Sequence, residues 1–247
     1  MKHFRRAIIR NEIVLEFIWP SKKSNKVVIL CSGLPGYPSN REAMLYLAKK
    51  GFWVFSPRYR GSWESGGLLL RNSPHLDILD IVHSISSGFS DIWDGKKYKI
   101  KNPKLYIIGS SFGGAAAILA SKNKSVRKIV ALSPLIDWTV ETKNESVDSL
   151  KNFTKLAFGN GYRPIKNGWN KLKSGKFYNP IAEIKNLDKN KIYIIHPKDD
   201  KVISVKTSIK FSKALNSKLT ILKTGGHLSL SSICKKSFWK AIKQFLN

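Results

Sequence analysis

The segment that most constrains this chain is KLYIIGSSFGGAAAILA, residues 104–120. Four apolar residues, Leu105, Tyr106, Ile107 and Ile108, run straight into Gly109-Ser110-Ser111-Phe112-Gly113 and then into a stretch of small helix formers. A short apolar run bounded by such turn signals reads as a buried strand, and the small residues after it read as a helix. A strand that becomes a helix within five residues must turn sharply. The backbone at that turn is strained, and the side chain at its apex, Ser111, projects above the sheet. Residues two before and two after the apex approach neighbouring main chain, where a large side chain would clash. Gly109 and Gly113 meet that demand, and Gly114, Ala115, Ala116 and Ala117 let the helix lie close to the strand. The helix also turns its first N–H groups and its positive end toward the apex, which suits a developing negative charge.

Elsewhere apolar runs alternate with helical patterns, which predicts an α/β fold with a mostly parallel sheet. Strands are expected at residues 12–19, 26–32, 52–56, 104–110, 126–133, 191–197 and 218–223. Helices are expected at 40–50, 74–87, 112–121, 204–216 and 230–246. Residues 57–73 read as a long glycine-rich loop. The alternation stops between 134 and 189, where helical pieces are expected at 147–158 and 169–174. Trp138, Phe153, Phe158, Tyr162, Trp169, Phe177 and Tyr178 give this stretch the bulk of a packed insertion. The chain of 247 residues is therefore expected to form one domain with a cap, or lid, at about 134–189.

A hydroxyl nucleophile needs a base, and the base needs a carboxylate to orient it. Of the five histidines, His227 follows the last expected strand in Thr224-Gly225-Gly226-His227, which places it on the same edge as Ser111. His196 ends a strand and reads as a packed structural group; His75 and His83 belong to a helix face, and His3 is terminal. The carboxylate is expected from His196-Pro197-Lys198-Asp199-Asp200-Lys201-Val202-Ile203. Asp200 is favoured because the apolar pair Val202-Ile203 can anchor the loop beneath it; Asp199 is the alternative. Asp137, after the strand at 126–133, reads instead as a group fixing the start of the insertion. The oxyanion formed on attack needs two N–H donors. Phe112, directly after the nucleophile, is one candidate. Leu34, in Cys31-Ser32-Gly33-Leu34-Pro35-Gly36-Tyr37, is the other, since Pro35 has no N–H to give.

The order Ser111, Asp200, His227 resembles that of the α/β-hydrolase superfamily over nearly the whole chain, from about residue 12 to residue 246. Within it the chain most resembles the catalytic domain of prolyl-oligopeptidase-like serine peptidases and related esterases. GSSFGG resembles their nucleophile elbow, PRYRGSWESGG the loop after an early strand, SPLIDW the segment after the strand following the elbow, and HPKDDKVIS their acid loop. The chain departs from that pattern at Ser32, Arg58 and Pro197. The resemblance implies a serine hydrolase working through an acyl-enzyme on Ser111. With no room for the β-propeller of many such peptidases, small acyl esters or short peptides are the expected substrates.

Charge and cysteine content bound the alternatives. Forty-four basic against sixteen acidic residues give a net charge of +28, mostly lysine spread along the chain. No dense basic tail and no zinc-finger or RNA-recognition pattern accompanies it, so nucleic acid is not the expected partner. Two other readings remain: a non-catalytic binding module on a hydrolase scaffold, and a lipid-directed hydrolase held at anionic membranes by its charge. Two cysteines make neither a disulfide framework nor a four-cysteine zinc site. With no apolar run long enough to span a bilayer and no cleavable leader pattern, a soluble cytoplasmic protein is expected. Neither a metal nor another cofactor is expected.

Overall fold

The computed structural model describes residues 4–140 and 146–247. Its centre is an eight-stranded sheet. The strands are β1 (Arg5–Ile9), β2 (Ile13–Ile18), β3 (Lys26–Cys31), β4 (Trp53–Pro57), β7 (Lys104–Ser110), β8 (Val126–Leu132), β9 (Ile192–Pro197) and β10 (Lys218–Leu222). A separate two-stranded ribbon joins β5 (Phe89–Ser90) to β6 (Lys97–Tyr98). The sheet order is β1-β2-β4-β3-β7-β8-β9-β10, with β2 antiparallel to both its neighbours and every later pairing parallel.

The apolar runs are nearly continuous because both faces of the sheet are covered, and alternate residues supply the two sides. Val27, Ile29, Leu105, Ile107, Ile129 and Ile194 enter one core. Val28, Leu30, Tyr106, Ile108, Val130 and Ile195 enter the other. The first core also takes residues of α2 (His75–Ser87), α3 (Phe112–Ala120) and α6 (Val205–Leu215). The second takes α1 (Arg41–Lys49) and α7 (Lys236–Leu246). Between β8 and β9 the chain forms α4 (Val147–Phe158), α5 (Gly168–Lys173) and short 3-10 turns at Gly159–Gly161 and Pro180–Asn186.

Parallel pairing makes the loops after β3, β7, β8, β9 and β10 emerge along one edge. β3 lies between β4 and β7, so the chain leaves it toward one side while β7 lies on the other. Such a reversal opens a crevice at the carboxyl ends of the strands.

The expected strands and helices agree with the structure to within a residue or two, with three differences. The N-terminal edge strand β1 is absent from the sequence reading; its Arg5 and Arg6 break the apolar signal, and only Ala7 and Ile9 face the core. The β5–β6 ribbon is too short to leave a pattern. The helix expected at 230–246 divides into a 3-10 turn, Leu230–Cys234, and α7, separated by the extended Lys235. After Pro57, which ends β4, the glycine-rich loop to residue 73 holds neither helix nor strand, but it is tightly bound. Gly61 adopts φ +70°, and a Cβ there would lie 1.9 Å from the Leu69 nitrogen. Cys31 and Cys234 are separate free thiols.

Candidate active site

Ser111 joins β7 to α3 with φ 54° and ψ −123°, a conformation that L residues seldom adopt. Neighbouring main chain holds it there. Its N–H donates to Leu132 O (3.0 Å), and its carbonyl accepts from Gly114 (2.9 Å) and Leu135 (3.1 Å). The tightness of the turn explains the glycines. A Cβ on Gly109 would lie 2.1 Å from Gly113 O, and one on Gly113 would lie 2.1 Å from Cys31 O. A Cβ on Gly114 would lie 2.6 Å from Pro134 Cβ. From the loop after β3, Gly33 approaches the serine: a Cβ there would be 3.3 Å from Ser111 Cβ.

The loops after β9 and β10 bring Asp200 and His227 together. His227 Nδ1 lies 2.9 Å from Asp200 Oδ2. Asp200 Oδ1 accepts from the amides of Val202 (2.9 Å) and Ile203 (3.0 Å). The carboxylate side chain is fully buried, while His227 keeps 26% of its side chain exposed. Burial alone would push the Asp200 carboxyl up. Hydrogen bonds from His196, His227, the Ile203 amide and the Ser133 hydroxyl outweigh it and hold the group well below the usual carboxylate range. An ionised acceptor on Nδ1 fixes the proton there and leaves Nε2 free to accept one.

Asp199, the alternative acid, binds elsewhere. It accepts from Gly226 (2.9 Å) and Gly225 (3.2 Å). Those two amides hold its carboxyl below its ordinary value. Asp137 accepts from the Thr139 amide and hydroxyl at the start of the insertion, as its position suggested.

Ser111 and His227 line one cleft of about 580 Å³ with Leu34 and Phe112. No hydrogen bond joins Ser111 Oγ to His227 Nε2 among the described residues. Bonds of this type commonly tighten only when substrate is bound. The N–H groups of Phe112 and Leu34 have no protein acceptor among the described residues.

Several side chains that the sequence reading passed over support this geometry. Tyr162 donates its hydroxyl hydrogen to Gly36 O (2.8 Å) and accepts from Gly36 N–H (2.9 Å), tying the insertion to the loop that carries Leu34. Tyr178 donates to Phe112 O (2.6 Å), and the Trp138 indole donates to Tyr178 O (2.8 Å). Tyr59 donates to Ser32 O (3.2 Å). Ser133, buried and in the left-handed region at φ 41°, accepts from Leu228 N–H (3.2 Å) and bonds Asp200, linking the acid loop to the base loop. His196 is buried, as expected, and it also touches Asp200. Apart from His196, four residues before Asp200, none of these had a local signal, because each partner lies far away in sequence. The hydroxyls of Tyr59, Tyr162, Tyr178 and Ser133 could have been found only as polar groups in otherwise apolar surroundings.

The sheet order, the strained serine after β7 and the acid and base loops after β9 and β10 define an α/β-hydrolase fold. Solved structures of that fold align with the chain. An esterase from Pyrococcus furiosus, Pf2001, is 20% identical with a TM-score of 0.67, over 100% of this chain and 90% of that one. Est1E from Butyrivibrio proteoclasticus, solved with ferulic acid bound, is 19% identical with a TM-score of 0.69, over 98% of this chain and 99% of that one. An acylaminoacyl peptidase from Pyrococcus horikoshii is 18% identical with a TM-score of 0.65; this chain aligns in full but spans 40% of that one. At such identities the likeness is one of fold. No curated protein sequence matches. The chain belongs to the prolyl oligopeptidase family, whose profile matches residues 38–237, and it is a serine hydrolase.

Proposed function

We propose that this hydrolase cleaves esters or amides of small acyl groups or short peptides through an acyl-enzyme on Ser111. His227 Nε2 takes the hydroxyl proton as Oγ attacks the carbonyl carbon. Asp200 holds the imidazole and favours its protonated form. The N–H groups of Phe112 and Leu34 receive the oxyanion, and collapse expels the leaving group with the proton from His227. Water, deprotonated by the same imidazole, then releases the acid. The observation that carries this reading is the buried, ionised Asp200 on Nδ1 of His227, whose ring lines the same cleft as the strained serine.

The cleft supports a neutral acyl group. Its walls include Leu34, Phe112, Trp138, Leu150 and Leu230; among its described lining residues Asp137 is the one carboxylate, and none is a lysine or arginine. The excess positive charge therefore lies elsewhere. We read residues 134–189 as a cap that narrows the cleft, because Ile136, Trp138, Val140, Leu150 and Phe153 contribute to its wall.

Ser111→Ala is expected to abolish turnover while leaving the melting temperature within a few degrees of the unaltered protein. Loss of one oxyanion donor costs ~3–4 kcal/mol at the barrier, and loss of the nucleophile costs more. A fluorophosphonate should label Ser111 and nothing else. Full turnover by folded Ser111→Ala protein, or labelling at another serine, would exclude the mechanism. Absent labelling combined with salt-sensitive binding of an anionic ligand would point to the non-catalytic module.

A second reading is favoured by the mouth of the cleft. Tyr37 (75% exposed), Phe153 (57%) and Val202 (47%) surround it, and Leu156 (86%) follows one turn along α4. Lys151 and Lys155 stand exposed on the same helix. An apolar rim with flanking cations suits an anionic lipid surface that delivers its own ester. Co-sedimentation with phosphatidylglycerol vesicles, weakened by salt and by Leu156→Glu, is the expected result. Equal recovery with neutral vesicles would count against it.

A further inference from the structure

We propose that His196 is a positioning residue for the reaction, holding Asp200 in the orientation in which that carboxylate serves His227. The proposal rests on the roles given above to Ser111, His227 and Asp200.

His196 is completely buried at the end of β9. Its Nε2 lies 2.9 Å from Ile203 O and 3.2 Å from Asp200 Oδ2. Both neighbours are acceptors. A bare ring nitrogen between two oxygens would be repelled by both, so Nε2 carries the proton. Nδ1 lies 2.7 Å from Ser208 Oγ, on α6, and accepts from that hydroxyl. Ser208 is itself fully buried. Ser208 thus donates to His196, the single Nε2 hydrogen of His196 is shared between Ile203 O at 2.9 Å and Asp200 Oδ2 at 3.2 Å, and His227 reaches Asp200 from the cleft.

Each Asp200 oxygen is held differently. The amides of Val202 and Ile203 converge on Oδ1. Two bonds on one oxygen leave the carboxylate some freedom to turn about that point. Oδ2 is the oxygen closer to His227 Nδ1, and His196 is the ring that fixes it from the protein side. The titratable groups in hydrogen-bond contact with this cluster, among the described residues, are Asp200 and His227. Removing the His196 donor therefore has two effects. Oδ2 loses a partner and turns more freely, so His227 is less well aligned. The charge on Oδ2 is also less compensated, so the imidazolium form of His227 gains stability.

The test uses three variants of the full chain with a p-nitrophenyl ester across a pH series. His196→Phe removes both ring bonds. His196→Gln returns an N–H to the region of Nε2. Ser208→Ala removes only the donor to Nδ1. In His196→Phe, kcat is expected to fall about tenfold, a size typical of losing a hydrogen bond to a buried charge, with KM within about twofold. The acid limb of kcat/KM should move upward by about half a pH unit. His196→Gln should recover most of both changes, and Ser208→Ala should fall between.

A merely structural role would change the melting temperature without moving the acid limb. Folded His196→Phe protein with unaltered kcat and an unaltered limb would overturn the proposal. If His196→Phe fails to fold, Ser208→Ala decides: unaltered kcat and limb in that variant would overturn it equally. Failure of the underlying mechanism looks different, because the unaltered enzyme would then not be labelled at Ser111 by a fluorophosphonate. Labelling intact with all three variants silent would remove His196 alone.

Discussion

Asp199 and Asp200 are adjacent in sequence, yet they bind different parts of the same loop: Asp199 takes the amides of Gly225 and Gly226, and Asp200 takes the ring of His227, the next residue. The first sets the path of the base loop, and the second sets the tautomer of the base. Sequence alone could only weigh one against the other, since both sit after the same strand. The pairing predicts an acid-limited activity. As His227 gains a proton it can no longer accept one from Ser111, so kcat/KM should fall on acidification. Activity unchanged from about pH 8 down to about pH 5 would remove His227 as the base. Asp199→Ala should lower kcat less than Asp200→Ala, because it loosens the loop without removing the ring's partner.

The loop after β3 is the element whose placement matters most for the oxyanion, and it does not hold itself. Tyr59 and Tyr162 grip it from two other segments. Tyr162→Phe removes both bonds to Gly36 with little change in volume. We expect kcat/KM to fall roughly three- to tenfold with a small change in melting temperature, in keeping with ~1 kcal/mol for an ordinary hydrogen bond. An unchanged rate would show that Leu34 needs no such support. Elements of this kind mark the limit of what sequence reveals. β3, β7, β8 and β9 were legible because their residues are buried on both faces and read as unbroken apolar runs. The nucleophile turn was legible because backbone crowding at Gly109 and Gly113 dictates residue type. β1 was not, since an edge strand with Arg5 and Arg6 needs only two inward side chains. Ser133 and Tyr162 were not, since a buried polar group is explained by partners that only the fold brings near; His196 was legible as a packed group, though not as a neighbour of the acid.

At the scale of the whole molecule, charge is divided unevenly. Arg5, Arg6, Arg10, Arg58 and Arg60 pair with carboxylates along the β1–β2 edge, among them Glu16, Asp80 and Asp91. Residues 201–247 instead carry ten lysines and no acidic residue. Stability should also depend on acidity in two stages. Burial, with a smaller contribution from Lys122, lowers the His75 value to about 4. The unfolded chain takes up that proton near 6.5, so the stabilisation is complete above about pH 6.5 and is lost down to about pH 4, up to ~3 kcal/mol. Asp200 is held low, so its contribution is present above the ordinary carboxylate value and disappears only at still lower pH. Melting temperatures should therefore decline first between about pH 6.5 and pH 4, and His75→Gln should flatten that first decline. A first decline of equal size in the variant would assign it to other groups.

The stretch after α4 is stitched to the glycine-rich loop by four main-chain hydrogen bonds, Trp63 to Gly161, Arg163 to Gly61, Leu69 to Arg163 and Ile165 to Leu69. It cannot swing away as one rigid flap without tearing that seam. On the function proposed above, admission of a substrate would then fall to α4, of which only Val147 and Thr154 are buried, and a bulky molecule would be refused at the doorway before the reacting groups had any chance to discriminate.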